Sequence, residues 1–200
     1  MEIKNTAKFY EKNKYVLIKN FISPQQANFI YNYAQIRKAR AATMVTSKWP
    51  DYREDIDGTF RDKQVPGTYS CYADPMMETL LLQGLQGMRE ITGLNLAPTY
   101  SYWRLYKKGD VLKRHKDRYS CEVSMTMNLG GDPWPIYLEP SGDTDKEGIK
   151  IDLEPGDALI YRGCEVEHWR EEFEGDNCGQ VFLHYNDASG ENAEQNKYDT

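Results

Sequence analysis

The sequence has few of the residues and segments that define several protein classes. Only 4 of its 200 residues are cysteines and none forms a Cys-x-x-Cys pair, so a zinc site built on thiolates is not expected. No apolar run approaches the roughly 18 residues that a membrane helix needs, and the polar N-terminal stretch has no signal-peptide core. We therefore expect a cytoplasmic protein without a membrane partner and with four reduced, mostly buried cysteines.

The chain also has fewer basic than acidic residues. The chain has 25 Lys and Arg against 31 Asp and Glu, a formal net charge of -6, whereas nonspecific binding to nucleic acid depends on a basic surface. Nucleic acid is therefore not an expected partner. Hydrophobic residues make up 40% and charged residues 28% of the chain, which is typical of a globular protein. The length suits one domain over residues 1–200.

Two helices are indicated in the first half of the chain by their end signals. Ser23, Pro24 and Gln26 form an N-cap, a first-turn proline and a capping box. The apolar residues that follow at helical spacing predict the packed face of this helix: Phe29, Ile30, Tyr33 and Ile36. The second helix begins after Asp74 by the same logic and ends near Gly93.

Residues 46–73 separate the two helices and carry turn-forming and charged residues with little periodicity. A loop of this length in a compact domain is often functional. Two interpretations stay open at this point: a lid over a binding site, or an ordinary surface loop with some aromatic anchors.

From residue 98 onward the sequence changes to short strand-like runs bounded by Gly, Pro, Asp and Asn. The eight candidates are "PTYSYWRLYK", "DVLKRHKD", "CEVSMTMNL", "PIYLE", "GIKIDLE", "DALIYRG", "EVEHWREEF" and "GQVFLHYN". Such density favours an antiparallel sandwich or barrel over parallel βαβ units. We therefore predict an α+β fold with helical support in residues 1–97, a jelly-roll core in residues 98–187 and a polar C-terminal tail in residues 188–200.

A histidine and an aspartate stand two residues apart in "LKRHKD". In an extended run, His115 and Asp117 leave the same face and can bind one ion. His168 lies in the seventh strand candidate, where jelly-roll topology can return it to the same end of the fold. Two neutral imidazoles and one carboxylate on one side of an ion form the facial triad of non-haem Fe(II) oxygenases, so these three residues are the candidate metal ligands.

With these motifs the sequence resembles the 2-oxoglutarate- and Fe(II)-dependent oxygenases, and within them the prolyl 4-hydroxylase-like branch. "YVLIKNFISPQQANFIYNYA" resembles that branch's opening strand and helix, "YKKGDVLKRHKD" its Tyr, Gly and His-x-Asp segment, and "LEPGDALIYRG" followed by "EVEH" the turn before its distal histidine.

The resemblance implies a double-stranded β-helix in which His115, Asp117 and His168 bind iron. It implies 2-oxoglutarate as a cosubstrate that chelates the metal, O2 as the oxidant, and Tyr106 as a residue near the cosubstrate. It also suggests hydroxylation of a prolyl residue in a peptide or protein, or of a small molecule.

One position departs from the family pattern. The family places a Lys or Arg nine or ten residues after the distal histidine, where it holds the far carboxylate of 2-oxoglutarate. This sequence has Asn177 and Cys178 there. A buried dianion still needs a cation, because burying it unpaired is very costly, so another basic residue is expected to replace the missing one.

Three arginines are candidates for that cation. Arg170 is the first choice, since it lies two residues after His168 and shares its strand face; a surface salt bridge with a neighbouring glutamate is the alternative. Arg104 is the second choice because it alternates with tyrosines on one strand face, and Arg162 is the third. The candidate cosubstrate residues are therefore Arg170, Tyr106, Arg104 and Tyr102.

The third histidine, His184, alternates with Phe182 and Gln180 on the last strand candidate. A packed and hydrogen-bonded histidine is the favoured interpretation, and the alternative is a third imidazole or a pocket residue. Because the usual basic residue is missing, two other function classes stay open. One is a cupin-like metal-dependent enzyme that does not use 2-oxoglutarate, and the other is a nonenzymatic jelly-roll binding module.

Overall fold

The computed structural model describes residues 3–190 and 193–196 of the chain. The described residues form five helices: α1 (Ile3–Asn13), α2 (Pro24–Thr46), α3 (Glu54–Asp57), α4 (Pro75–Thr92) and α5 (Ala193–Asn196). None of these helices is long and apolar enough to span a membrane. The predicted C-terminal tail at residues 188–200 lies partly outside the described residues.

Ten strands in the described residues form two antiparallel sheets. The strands are β1 (Tyr15–Ile18), β2 (Tyr69–Tyr72), β3 (Leu96–Lys107), β4 (Leu112–His115), β5 (Val123–Gly131), β6 (Ile136–Glu139), β7 (Ile149–Ile151), β8 (Ala158–Arg162), β9 (Glu167–Arg170) and β10 (Asn177–Asp187). The large sheet has the order β1-β8-β5-β10-β3-β2, and the small sheet has the order β4-β9-β6-β7. All eight strand candidates are present, and the α+β fold with a jelly-roll core is confirmed.

The outer face of the large sheet packs against the helices. α2 and α4 begin where predicted, and α4 also ends where predicted. Ser23 Oγ accepts the N–H of Gln26, Asp74 accepts the N–H of Met76, and Gly93 ends α4 in the left-handed conformation. The buried residues of both helices join one core with the outward-facing side chains of β3, β5 and β10, among them Trp103, Met125, Met127, Val181 and Leu183. This packing leaves the opposite face of the large sheet to meet the small sheet.

The predicted packed face of α2 is wrong in part. Ile30 is buried, but Phe29 is 65% and Ile36 69% exposed. The buried face consists of Ala27, Ile30, Ala34, Ala41 and Met44. Small alanine side chains let the helix approach the sheet closely, which favours this face over the one with the larger apolar residues.

Residues 46–73 contain more regular structure than their composition indicated. They include α3 and β2, and an isolated bridge joins Thr59 to Ser70. β2 pairs with β3 and β1 pairs with β8, so residues before 98 add two strands to the large sheet. Between α3 and β2, Val65 is 2% exposed and packs among core residues of the barrel, so this segment covers one side of it.

Candidate metal and cosubstrate site

The small sheet positions the three candidate metal ligands. His115 ends β4 and lies opposite His168 of β9 in the strand register, and Asp117 follows two residues later. Asp117 Oδ1 lies 3.6 Å from His115 Nε2 and 3.4 Å from His168 Nε2. Two ligands at about 2.1 Å from one ion and at right angles are about 3 Å apart, so the three atoms can reach a single ion. The structure brings together the three residues that the sequence pointed to.

Both histidines are oriented for metal binding by their own strands. His115 Nδ1 lies 2.7 Å from the carbonyl oxygen of Lys113, and His168 Nδ1 lies 3.0 Å from that of Val166. A carbonyl oxygen only accepts hydrogen bonds, so each Nδ1 carries the proton and each Nε2 presents a lone pair to the ion. Burial and the neighbouring His168 lower the pKa of His115, which keeps its imidazole neutral.

Asp117 is held as a carboxylate. Burial acts to raise its pKa, but His168 and a hydrogen bond from Ser124 hold the pKa well below its ordinary value. Ser124 Oγ lies 2.8 Å from Asp117 Oδ2, and the Asp117 N–H donates to the carbonyl oxygen of Gly163 at 2.9 Å. A Cβ atom on Gly163 would lie 2.6 Å from Asp117 Oδ2 and 2.2 Å from the backbone oxygen of Cys121. Glycine is therefore required for the close approach of this turn to the carboxylate.

A cavity of about 410 Å³ lies between the inner faces of the two sheets and contains the three candidate ligands. Its size is within the usual range for small-molecule sites. Tyr100 and Tyr102 of β3, together with Phe182 and His184 of β10, form the wall that the large sheet contributes. Gln64, from the segment between α3 and β2, adds to the lining.

Arg170 is a fully buried cation without an acidic partner among the described residues. Its side chain is 0% exposed, and it donates to the carbonyl oxygen of Trp134 and, at 3.2 Å, to Gln180 Oε1. Its Nε has no hydrogen-bond partner. Burial lowers the pKa of this guanidinium, and no acidic side chain of the described residues forms an ion pair with it to offset that burial. An uncompensated buried charge needs an anion beside it.

Arg104 has a partner that Arg170 lacks. Its Nε lies 2.6 Å from Asp62 Oδ2, and the side chains are 8% and 3% exposed. Burial lowers the pKa of Arg104, but Tyr106 and Asp62 outweigh it and raise that pKa above its ordinary value. Tyr102 also donates to Asp62, at 2.7 Å. Arg104 and Tyr102 thus line the cavity, and both are already engaged by one carboxylate.

The remaining two candidates for the cosubstrate site, Tyr106 and Arg162, lie in different parts of the fold. Tyr106 is fully buried, and its ring lies 4.7 Å from that of Trp134, beside which Arg170 also packs. Arg162 points toward α1: its guanidinium is 5.8 Å from the Tyr10 ring, and it pairs with a nearby glutamate. The structure therefore places Tyr106 with Arg170 around Trp134 and Arg162 toward α1, and none of the three is among the residues that line the cavity.

His184 is both packed and part of the cavity wall. It is 6% exposed, its Nδ1 lies 2.9 Å from Ser124 Oγ, and its ring lies 4.7 Å from that of Tyr100. One atom each from Asp117, Cys121 and His184 also falls within the mutual spacing of a metal site. His184 is therefore packed and hydrogen-bonded, as the favoured interpretation of the sequence predicts, and it also lines the cavity, as the pocket interpretation predicts.

Similarity to solved structures is strong in shape and weak in sequence. No protein-family model matches the chain, and no curated protein matches it. A prolyl-4-hydroxylase from Pseudomonas putida superposes with a TM-score of 0.68 at 16% identity, over 92% of this chain and 98% of that one. The chain has the fold of the 2-oxoglutarate- and Fe(II)-dependent oxygenases. The resemblance noted in the sequence is thereby confirmed at the level of the fold.

Other members with this oxygenase fold come from different biological settings. HygX from Streptomyces hygroscopicus, solved with nickel, 2-oxoglutarate and hygromycin B, has a TM-score of 0.66 at 12% identity, over 93% of this chain and 88% of that one. A viral collagen prolyl hydroxylase from Paramecium Bursaria Chlorella virus-1, in complex with 2-oxoglutarate, has a TM-score of 0.56 at 11% identity, over 88% and 97%. One is solved with hygromycin B bound and the other is named a collagen prolyl hydroxylase, so the shared oxygenase fold does not by itself select a substrate.

Sequence reasoning missed three residues of this oxygenase-fold site. Ser124 and Gly163 support Asp117, and Tyr161 is a fully buried phenol whose ring lies 4.7 Å from His168 and whose side chain lines the cavity. Strand alternation was the available signal for Tyr161, because it separates this residue from the outward-facing Arg162. Ser124 and Gly163 have no local signal, since both act through contacts made only in the folded chain.

Proposed function

We propose that this protein is an Fe(II)- and 2-oxoglutarate-dependent oxygenase that hydroxylates its substrate. The observation that carries the proposal is Arg170, a fully buried guanidinium without an acidic partner among the described residues, on the strand that also carries His168 of the two-histidine, one-carboxylate donor set. A site that needs only a metal has no use for such a cation, which costs stability in the absence of an anion. A dicarboxylate that binds the metal at one end supplies that anion at the other.

The donor set fits Fe(II). His115, Asp117 and His168 offer two neutral imidazole nitrogens and one carboxylate from one side, which leaves the other side of the ion for ligands that are not protein. Fe(II) with bound 2-oxoglutarate supplies the chemistry that converts a substrate C–H and O2 into C–OH, with succinate and CO2 as the other products. The protein's own contribution is to hold, orient and shield these groups.

The interior of the barrel fits the far end of 2-oxoglutarate. Arg170 would hold the distal carboxylate through its planar fork of donors, and Tyr106 packs against Trp134, the ring beside which Arg170 lies. Tyr161 stands next to His168 and lines the cavity, so its hydroxyl would serve as a further donor along the cosubstrate. Arg104 and Tyr102 would act indirectly, since Asp62 already engages both.

Cys178 is one of the two residues at the position where the family carries its basic residue. It is buried on β10, and Gln180 Nε2 lies 3.2 Å from its Sγ. Gln180 Oε1 accepts from Arg170 across the barrel. The guanidinium of Arg170 on β9 therefore lies within hydrogen-bond distance of a residue two positions after Cys178, and we propose that it supplies the charge that the family places on the last strand.

A prolyl residue in a peptide or protein is the substrate class that we propose to test first. The wall opposite the metal ligands carries Tyr100, Tyr102 and Phe182, and flat aromatic rings suit a pyrrolidine ring as well as other cyclic groups. The test is consumption of 2-oxoglutarate in the presence of proline-containing peptides, compared with the same peptides with alanine in place of proline. No stimulation by proline would direct the search to small cyclic molecules.

The oxygenase proposal is tested by anaerobic titration of 2-oxoglutarate into Fe(II)-loaded protein. Chelation of the metal by the 2-oxo acid produces a visible charge-transfer band, which we expect for the native protein and not for Asp117→Ala. Iron binding without a band would instead indicate the metal-dependent enzyme that does not use 2-oxoglutarate. Absence of both iron and band would indicate the nonenzymatic binding module.

A further inference from the structure

Gln64 is a cavity residue that the proposed chemistry does not yet use. It belongs to the segment between α3 and β2, and its backbone is fixed by Asp62, whose Oδ1 accepts the N–H groups of Gln64 at 2.7 Å and Val65 at 3.1 Å. Val65 is 2% exposed and packs in a cluster with Tyr106 and Phe182. The segment is therefore anchored on both sides of Gln64, which places its side chain at a defined point of the cavity lining.

The orientation of the Gln64 amide follows from the chemistry of its neighbour. Arg104 Nη2 lies 2.7 Å from the side-chain oxygen of Gln64, and Arg104 itself is held by Asp62 at 2.6 Å. A guanidinium only donates hydrogen bonds, so the amide oxygen has to face Arg104 and the NH2 group has to point away from it. No described residue accepts a hydrogen bond from that NH2 group. The buried ion pair of Arg104 and Asp62 therefore fixes the Gln64 amide so that its NH2 group points away from Arg104.

Apolar rings stand beside this donor in the same cavity. The Tyr102 and Phe182 rings are stacked at 6.5 Å with an interplanar angle of 28°, and the guanidinium of Arg104 lies 4.9 Å from the Tyr102 ring. Flat rings next to one positioned polar group are the usual composition of a specificity pocket. The Gln64 NH2 group and the two rings together would favour a substrate in which a carbonyl oxygen is attached to a flat or cyclic apolar group.

We propose that Gln64 is a specificity-determining residue, whose side-chain NH2 group donates to a carbonyl oxygen of the substrate while the substrate's ring packs on Tyr102 and Phe182. This inference rests on the proposed oxygenase function and adds a substrate class to it. Asp62 and Arg104 are positioning residues, since they act through Gln64. Carbonyl-bearing rings occur in prolyl peptides and in free aromatic or alicyclic amides, so the source of the substrate is decided by the experiment.

The test compares two probes of similar shape, benzamide and toluene, with Fe(II)- and 2-oxoglutarate-loaded protein under anaerobic conditions. Saturation-transfer NMR titrations give the affinity of each probe for the native protein, Gln64→Glu and Gln64→Met. Gln64→Glu keeps a side-chain oxygen that accepts a hydrogen bond from Arg104 but removes the NH2 donor. Gln64→Met removes both the oxygen and the NH2 group and adds no charge. Gln83→Glu is the matched control, because Gln83 has the same side chain, is exposed as Gln64 is, and lies on α4 outside the cavity lining.

We expect benzamide to bind the native protein and the control equally, and both Gln64 variants about 2- to 10-fold more weakly, the range of one neutral hydrogen bond. Toluene should bind all four proteins equally. The inference is overturned if neither benzamide nor N-acetyl-L-proline methylamide binds, if the Gln64 variants bind both probes as the control does, or if they lose toluene to the same extent.

The same design separates the source of the substrate and the two levels of the proposal. N-acetyl-L-proline methylamide carries a carbonyl beside a pyrrolidine ring; sensitivity of this probe to Gln64→Glu supports a polypeptide source, and sensitivity of benzamide alone supports a free small molecule. The charge-transfer band is read in each sample. A band with no Gln64 effect removes only this inference, whereas absence of the band in native protein removes the oxygenase function.

Discussion

Replacement of Arg170 by methionine tests the site most directly, because we expect it to change folding stability little and to weaken cosubstrate binding strongly. Arg170 is 0% exposed and has no acidic partner among the described residues. Methionine has a similar length and is apolar, so Arg170→Met removes a buried charge without opening a large cavity. It also takes one donor each from the Trp134 carbonyl and the Gln180 amide.

The two effects on folding oppose each other. Each lost hydrogen bond costs about 1 to 3 kcal/mol, while removal of an uncompensated buried charge recovers a desolvation cost of several kcal/mol. We therefore expect the free energy of unfolding of the apo protein to change by less than about 2 kcal/mol in either direction. Urea denaturation followed by circular dichroism measures this change.

The effect on 2-oxoglutarate is one-sided. Loss of the cation leaves the distal carboxylate buried without a partner, which costs about 2 to 5 kcal/mol, a factor of roughly 30 to 4000 in the dissociation constant. Arg170→Lys keeps the positive charge but loses the planar pair of donors, so its affinity for 2-oxoglutarate should lie between those of the native protein and Arg170→Met. Anaerobic titration of the charge-transfer band gives the three affinities.

Arg104→Met is the matched control. It breaks a buried ion pair and leaves Asp62 uncompensated, which should destabilise the protein by about 3 to 5 kcal/mol, with little change in 2-oxoglutarate affinity for the folded fraction. The reverse pattern, in which a folded Arg104→Met loses the band and Arg170→Met keeps native affinity, would refute the assignment of Arg170 and point to the second arginine.

Three further predictions concern the metal ligands and their support. Asp117→Ala should abolish stoichiometric Fe(II) binding, measured by elemental analysis, with an unchanged circular dichroism spectrum; full iron content would remove this residue from the ligand set. Gly163→Ala should weaken iron binding at least 10-fold, because its Cβ would lie 2.6 Å from Asp117 Oδ2; native affinity would show that the turn can move aside. His184→Ala should keep native iron content, and a loss of iron would mean that the wrong histidines were assigned.

Local signals along the chain were sufficient for much of the fold. The caps of α2 and α4 depend on residues within one helical turn, and the strand runs depend on alternation and turn residues, so both could be predicted before any contact was known. The packed face of α2 could not, because apolar residues occur on two sides of it. Close packing against the sheet favoured the alanine side over Phe29 and Ile36.

The sequence by itself determined the donor types of the candidate metal site, since His115 and Asp117 share a strand face and His168 follows in a predictable strand. Only the tertiary structure decided which arginine is left without a counter-charge. Arg104 and Asp62 are 42 residues apart, and no local pattern indicates that they meet. Spacing along a strand fixes the direction of a side chain, whereas its charge balance depends on what the rest of the chain buries beside it.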